Sequence, residues 1–266
     1  MLCPPLDDAA RATALQRALR AAGQDCELAW VAQTGSTNAD LLARVRDGAP
    51  GSPLCLVAGH QTAGRGRRSR AWSDEPGSGG ALLCSLAWPL ARGSELAGLS
   101  LAVGVWLVQA LDALGAPQAA LKWPNDILLS GRKLAGVLVE VADTAAARWA
   151  VIGIGLNLGS PPQLPQAAGL HEHGVMVDRW QVLQQLLPRL AAGLQEFARL
   201  GFAPWTDFWN RRHAWSQRTV RVLGDGTAGL HGLALGVDSQ GYLWLQTPNG
   251  RERVTNGDVS LRPETP

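Results

Sequence analysis

Charge is scarce in this chain. Only 17% of its 266 residues are Asp, Glu, Lys or Arg, and they leave a net charge of +2. So small a surplus does not imply bulk nucleic-acid binding, which depends on many phosphate contacts. The four cysteines, Cys3, Cys26, Cys55 and Cys84, show no CxxC spacing. Cys55 and Cys84 fall inside apolar runs, where a thiol acts as a small hydrophobe. The set therefore reads as reduced and structural, and the protein as cytoplasmic. The most apolar stretch, Leu99 to Leu111, is interrupted by Ser100 and Gln109 and is too short to span a bilayer. Asp7 and Asp8 stand where a secretory signal needs an apolar core. There is no GxxxxGK[ST] motif, and no GxGxxG in strand-to-helix context, so neither a P-loop nor a Rossmann site is supported. His171 and His173 alternate without a Cys or carboxylate partner at ligand spacing, which argues against zinc.

What the chain does have is a concentration of arginine. In Gln61-Thr62-Ala63-Gly64-Arg65-Gly66-Arg67-Arg68-Ser69-Arg70-Ala71-Trp72, four arginines and two glycines lie between the strand-like runs Leu54 to Ala58 and Ala81 to Trp88. Gly64 and Gly66 allow close approach of backbone to ligand, and each guanidinium offers a fork of donors matched to phosphate or carboxylate oxygens. The residues alone allow three readings: an anion clamp covered by Trp72, a solvated basic loop, or a local nucleic-acid patch.

With 46% hydrophobic residues the chain reads as globular, with room for one large and one small domain. Residues 9–22 form a short amphipathic helix ended by Gly23. Glu27 to Ala32 reads as a strand, followed by a helix over 38–46 with Thr37 and Asp40 as a capping-box pair. Residues 95–115 form a buried helix. Pro124 bends the chain so that Lys122, Asn125 and Asp126 gather round it. Ser130-Gly131-Arg132 turns into a strand over 133–141, whose sheet neighbour is the run 149–156, ending at Asn157. Gly136, Gly153 and Gly155 interrupt these strands, as glycines do where a ligand comes close. Residues 159–176 have no periodicity and read as a mobile lid. The pattern 178–200 is helical, kinked or split at Pro188, and a shorter helix covers 203–212. Beyond 216, four or five short β-runs separated by turns suggest a small barrel. The division falls at 1–215 and 216–266.

Laid together in order, GSTNADLL (35–42), HQTAGRGRRSRAW (60–72), KWPNDILLSGRKLAGVLVE (122–140) and GIGLNL (153–158) resemble biotin protein ligase, over a span from about residue 28 to the C-terminus. The resemblance implies an α+β catalytic domain, a mixed β-sheet with flanking helices like that of class II aminoacyl-tRNA synthetases, and a small C-terminal SH3-like barrel. It implies an ATP-dependent enzyme that activates biotin as biotinyl-5′-AMP and transfers it to a lysine of a biotin carboxyl carrier protein. ATP and Mg²⁺ are co-substrates, and no tightly bound cofactor is expected. Only about thirty residues precede the first motif, so the chain resembles the short type without an N-terminal DNA-binding domain; no nucleic acid or membrane partner is expected. The family's homodimers use a sheet edge, and the sequence leaves monomer and dimer both open.

By the same resemblance Ser36, Thr37, Asn38 and Gln61 meet the ureido head of biotin. Arg65, Gly66 and Arg67 belong to the loop that closes over biotin and the adenylate phosphate, and Trp72 covers the valeryl chain. Lys133, beside Gly136, contacts the carboxylate and α-phosphate. The nucleotide is met by Arg65, Arg67, Lys122, Asn125, Asp126, Lys133 and Asn157. Lys133, Arg67 and Asp126 are the catalytic set, with Asp126 also the magnesium ligand. Ser69 stands where a glycine is common in the family. A lipoate ligase is the nearest rival; a nucleic-acid-binding protein and a non-catalytic ligand module are the others.

Overall fold

The computed structural model describes residues 7–48, 50–72, 80–223, 230–254 and 260–263. Cys3 and the turns expected at 224–226 and 256–258 lie outside them. Seven strands make the main sheet: β1 (Glu27–Thr34), β2 (Leu54–Gln61), β3 (Ala81–Leu90), β4 (Ala120–Lys122), β5 (Asp126–Leu129), β6 (Arg132–Asp143) and β7 (Arg148–Asn157). Their order is β1-β2-β3-β7-β6-β5-β4. β1 and β2 run parallel, joined through α2 (Thr37–Gly48), and every other pairing is antiparallel, so the sheet is mixed. β6 and β7 pair as the sequence suggests, from Ala135 opposite Leu156 to Asp143 opposite Arg148. Ser130 and Gly131, both at positive φ, close the β5–β6 hairpin.

Strand alternation decides what each face meets. Leu82, Cys84 and Leu86 of β3 pack with α1 (Asp8–Ala21), α3 (Leu99–Ala113) and α4 (Arg179–Leu200) in the main core. Ala87 points the other way and joins Leu41, Leu42 and Val45 of α2 in a second cluster. α2 covers only part of that second face. The uncovered part is the floor of the candidate site.

α4 runs through Pro188 as one helix and is not split there. A full capping box at Asp178 and Gln181 starts it, and Leu183, Leu187, Leu190, Leu194 and Phe197 are buried along one side. Such packing outweighs the loss of one helical donor. The Arg189 guanidinium meanwhile donates to the Gln185 carbonyl at 2.6 Å, within the turn the proline disturbs. The helix expected at 203–212 is a single 3-10 turn, Ala203–Trp205, followed by α5 (Thr206–Arg211).

The capping box expected of Thr37 and Asp40 does not form. The Thr37 hydroxyl turns to Gln61 and Ser85, and Asp40 accepts from the Thr34 hydroxyl at 2.5 Å. Residues 159–176, read as a mobile lid, are instead tied to the sheet. Lys133 N–H donates to the Gln166 carbonyl and Ala168 N–H to the Lys133 carbonyl, while Ala168 and Leu170 are fully buried.

The C-terminal strands, β8 (Thr219–Leu223), β9 (His231–Val237), β10 (Leu243–Thr247), β11 (Gly250–Val254) and β12 (Ser260–Pro263), form an antiparallel sheet in the order β11-β10-β9-β8-β12. Asn210 clamps it by exchanging two hydrogen bonds with the Val237 backbone, at 3.0 and 2.8 Å. The turn after β9 is held by Asp238, which accepts from the Gln240 and Tyr242 N–H groups and the Trp244 indole. Gly241 in that turn lies against Gly98 and Leu101, and its carbonyl accepts from the buried Trp123 indole at 3.1 Å. Among the described residues, no helix is long and apolar enough to cross a membrane.

Candidate active site

The open face of the main sheet carries Ser85 and Leu83 on β3, Gly153 and Gly155 on β7, and Gly136 and Leu138 on β6. Register sets Ser85 opposite Gly153, Gly153 opposite Leu138, and Gly155 between Leu83 and Gly136. The glycines make this floor shallow for a physical reason. A Cβ on Gly153 would lie 2.4 Å from the Asn38 amide oxygen, and one on Gly155 would lie 2.4 Å from the Trp72 indole. Side chains from α2 and from the 61–72 loop therefore rest directly on backbone.

Around this floor a single cavity gathers Ser36, Thr37, Asn38, Gln61, Arg65, Gly66, Arg67, Trp72, Lys122, Asn125, Asp126, Lys133 and Gly136. These are all of the residues singled out in the sequence except Asn157. Asn157 is buried behind them, its amide donating to the Ala168 carbonyl at 3.0 Å. Through Ala168, whose N–H reaches the Lys133 carbonyl, it braces the strand that carries Lys133.

One end of the cavity is a hydrogen-bonded wall. Thr37 N–H donates to the Gln61 amide oxygen at 2.7 Å, and the Thr37 and Ser85 hydroxyls lie 2.7 Å apart. The Ser85 hydroxyl donates to the Asn38 oxygen at 2.5 Å, and the Asn38 amide donates to Glu140 at 2.8 Å. Ser36, Thr37, Asn38 and Ser85 are all buried. A buried polar set of this kind is stable only when its donors and acceptors are matched, and here each side-chain orientation is fixed by the next.

The other end is charged. The Asp126 carboxylate pairs with the Lys122 ammonium at 3.1 Å and the Lys133 ammonium at 2.7 Å. Burial pushes the Asp126 carboxyl up, but Lys133 and then Lys122 outweigh that and hold it below the ordinary carboxylate value. The trio carries one net positive charge. Lys133 also lies 5.6 Å from the centre of the Trp72 ring. The 61–72 segment crosses the mouth, closed on itself by Gly66 N–H to the Arg70 carbonyl at 2.7 Å and Trp72 N–H to the Gly64 carbonyl at 2.9 Å. It brings Arg65, Arg67, Arg68 and Arg70 to the lining.

The sequence reading missed Ser85 and Glu140. Both sit inside runs read only as strands, and the signal that could have found them is alternation: Glu140 shares a face with Gly136 and Leu138, and Ser85 with Leu83. Among the described residues, no group of three or more His, Cys, Asp or Glu could hold a metal. Asp126, the expected magnesium ligand, has one oxygen on the Lys133 ammonium and the other on the Lys122 ammonium.

Two family models match the chain, the biotin/lipoate A/B protein ligase family over residues 30–157 and the biotin protein ligase C-terminal domain over 216–262. The biotin–[acetyl-CoA-carboxylase] ligase of Mycobacterium tuberculosis is 37% identical over 265 residues, covering 97% of this chain and 96% of that protein. The bifunctional ligase/repressor BirA of Escherichia coli is 35% identical over 234 residues, 85% of this chain and 71% of that protein. Among solved structures, the biotin protein ligase from Aquifex aeolicus in complex with biotin and ATP superposes with a TM-score of 0.76 at 27% identity, over 88% of this chain and 98% of that one. In sequence, in both matched segments and in fold, the chain belongs to the biotin protein ligase family.

Proposed function

We propose that this protein is a biotin–[biotin carboxyl-carrier protein] ligase, which activates biotin with ATP as biotinyl-5′-AMP and transfers the biotinyl group to a lysine of a carrier domain. The observation that carries this is the juxtaposition, across a glycine floor, of a neutral hydrogen-bonding wall with a cationic end. The wall suits a ureido head, which needs donors and acceptors. The cationic end suits a carboxylate meeting a phosphate.

A carboxylate is a poor electrophile, and its attack on the α-phosphorus of ATP brings like charges together. Lys133, Arg65 and Arg67 offset that repulsion and stabilise charge growing on the phosphoryl oxygens. Lys122 and Asn125 extend the nucleotide side. Mg²⁺ enters with ATP as part of the substrate, and no step here depends on a protein-held ion. In the second half-reaction the acceptor amine attacks the mixed anhydride with loss of AMP, after losing a proton. Asp126, held ionised by two ammoniums, is a weak base. Its contribution is to draw the incoming ammonium to the site and orient it, with solvent removing the proton. Trp72 and the arginine segment shield the anhydride from water.

In this reading residues 1–215 are the catalytic domain, of the class II synthetase-like type, and 216–266 a small SH3-like barrel. The three described cysteines are buried and free, in keeping with a cytoplasmic protein. Any homodimer would form on the β1 edge of the main sheet, and nucleic acid is not a partner. The test is incubation of the purified protein with MgATP and a carrier domain, giving biotin or lipoate in parallel and weighing the carrier. A biotin-sized gain only in the biotin tube supports the reading; a gain only with lipoate, or none in either, overturns it.

A further inference from the structure

One carboxylate in the site has no place in the reaction just described. Glu140 sits near the middle of β6, two residues beyond Leu138 and four beyond Gly136, and so on the cavity face of the sheet. A single oxygen, Oε2, accepts from the Asn38 amide at 2.8 Å and lies 3.6 Å from an Arg65 guanidinium nitrogen. The first contact belongs to the head-group wall and the second to the arginine segment over the mouth.

The consequence for Asn38 is one of direction. Its amide oxygen faces the Ser85 hydroxyl and its nitrogen faces Glu140, so the donor end is fixed by a formal negative charge rather than by a neutral acceptor that could accept either orientation. The amide rests directly on the backbone of Gly153, where even a Cβ would lie 2.4 Å from its oxygen. The consequence for Arg65 is one of place. Its side chain is 45% exposed, and Glu140 gives it a partner on the cavity rim before any phosphate arrives. A solvent-screened pair of this kind is weak by itself. Its effect is to narrow the positions from which the guanidinium engages an anion.

We propose that Glu140 is a positioning residue for the ligation reaction, holding the Asn38 amide in its wall-forming orientation and Arg65 at the cavity rim, so that a correctly seated biotin head and a closed arginine segment favour each other. This rests on the biotin ligase reading of the same cavity. Glu140 touches no reacting atom; it acts through Asn38 and Arg65.

The test is Glu140→Gln in the full chain, which keeps an acceptor oxygen but removes the charge and allows the amide to flip. Biotin KM, ATP KM and kcat are measured with a carrier domain, together with biotin-dependent protection of the 65–70 arginines from trypsin. The expected result is a rise of about tenfold in biotin KM, with ATP KM within about threefold of wild type and tryptic protection weakened at matched biotin occupancy. In a double-mutant cycle with Arg65→Gln, the double variant should be less impaired than the product of the two single effects. Wild-type biotin KM and protection in Glu140→Gln, or strictly multiplicative effects, would overturn the proposal. Should Glu140→Gln not fold, Glu140→Asp takes its place, with a smaller rise in biotin KM expected and a wild-type value overturning it. If the wild-type protein itself fails to biotinylate the carrier, the functional reading has failed rather than the role of Glu140.

Discussion

Gly153→Ala adds one methyl group to a strand and no charge, yet it should cripple biotin binding. The backbone at 153 is in an ordinary strand, so alanine is compatible with its conformation. The obstacle is Asn38. The new Cβ would lie 2.4 Å from the Asn38 amide oxygen, 3.0 Å from Cγ and 3.2 Å from the nitrogen. Real contacts of this type do not fall below 3.0 Å, so the amide must retreat by about 0.6 Å or rotate away. Either movement strains two bonds at once, from Ser85 at 2.5 Å and to Glu140 at 2.8 Å. A neutral hydrogen bond contributes about 1 kcal/mol net and one to a charged group about 1.5–3, so the wall is weakened by about 3 kcal/mol. A misplacement of this size in a positioning group costs up to about 100-fold. The expectation is a biotin KM raised by about 100-fold, ATP KM within about threefold, and a melting temperature lowered by only a few degrees, because the methyl lies on the open face and not in the helix-packed core. Steady-state kinetics with a carrier domain, beside a thermal melt, decides it. A biotin KM within threefold of wild type would refute the argument that Asn38 is held in one place. Gly155→Ala is the natural comparison: its clash is with the Trp72 indole, at the end of a loop side chain that can swing aside, so its effect on biotin KM should be smaller, with the change read in tryptophan fluorescence.

Lys133→Ala should retain the fold and lose on the order of 100-fold or more in adenylate formation, measured as biotin-dependent pyrophosphate release; an unchanged rate would remove Lys133 from the role. Asp126→Ala leaves two ammoniums facing each other and should slow transfer from preformed biotinyl-5′-AMP, checked by single-turnover labelling of the carrier, with a wild-type rate refuting the assignment. Trp123→Phe deletes one N–H and leaves the Gly241 carbonyl buried without its donor, which should destabilise the protein by about 1–3 kcal/mol in urea melts. His213 is 6% exposed, its ring tilted against Trp209, with neither ring nitrogen hydrogen-bonded, and burial pushes its pKa down to about 4 from 6.5. Below pH 6.5 the unfolded chain takes up a proton that the folded chain refuses until about pH 4, so stability falls across that window, by about 2 kcal/mol between pH 7 and 5. Urea midpoints of wild type and His213→Leu at both pH values check this, since the leucine variant should lose that part of the slope.

Much of the site was legible because its residues come in short motifs whose geometry is local. Lys122, Asp126 and Lys133 fall on the successive strands β4, β5 and β6, and Pro124 and Ser130-Gly131 mark the two turns between them. Arg65 to Arg70 announce themselves by composition. The five C-terminal strands fall on β-runs set apart by recognisable turn residues. What was not legible depends on pairing across distance. Thr37 looks like a helix cap until β3 brings Ser85 beside it, and Glu140 looks like the polar end of an apolar run until α2 sets Asn38 above it. Asn157 was placed toward the nucleotide by the family resemblance alone. Its side chain donates to the Ala168 carbonyl in the 159–176 segment, and that contact helps explain why a stretch without periodicity is fixed in place: its order comes from bonds to Lys133 and Asn157, which composition does not encode. Pro188 misled in the opposite sense, because a local rule was overruled by a long buried stripe.

The hydrogen bond between Trp123 and Gly241 gives the small sheet a standing that its size conceals. Trp123 follows directly on Lys122 and comes three residues before Asp126, so the bend that presents both charged groups rests on a carbonyl contributed from about 115 residues further along the chain. Cutting the chain at residue 215 would remove the acceptor of the buried Trp123 indole, so the loss would be felt at the bend that presents Lys122 and Asp126 and not only in the small sheet.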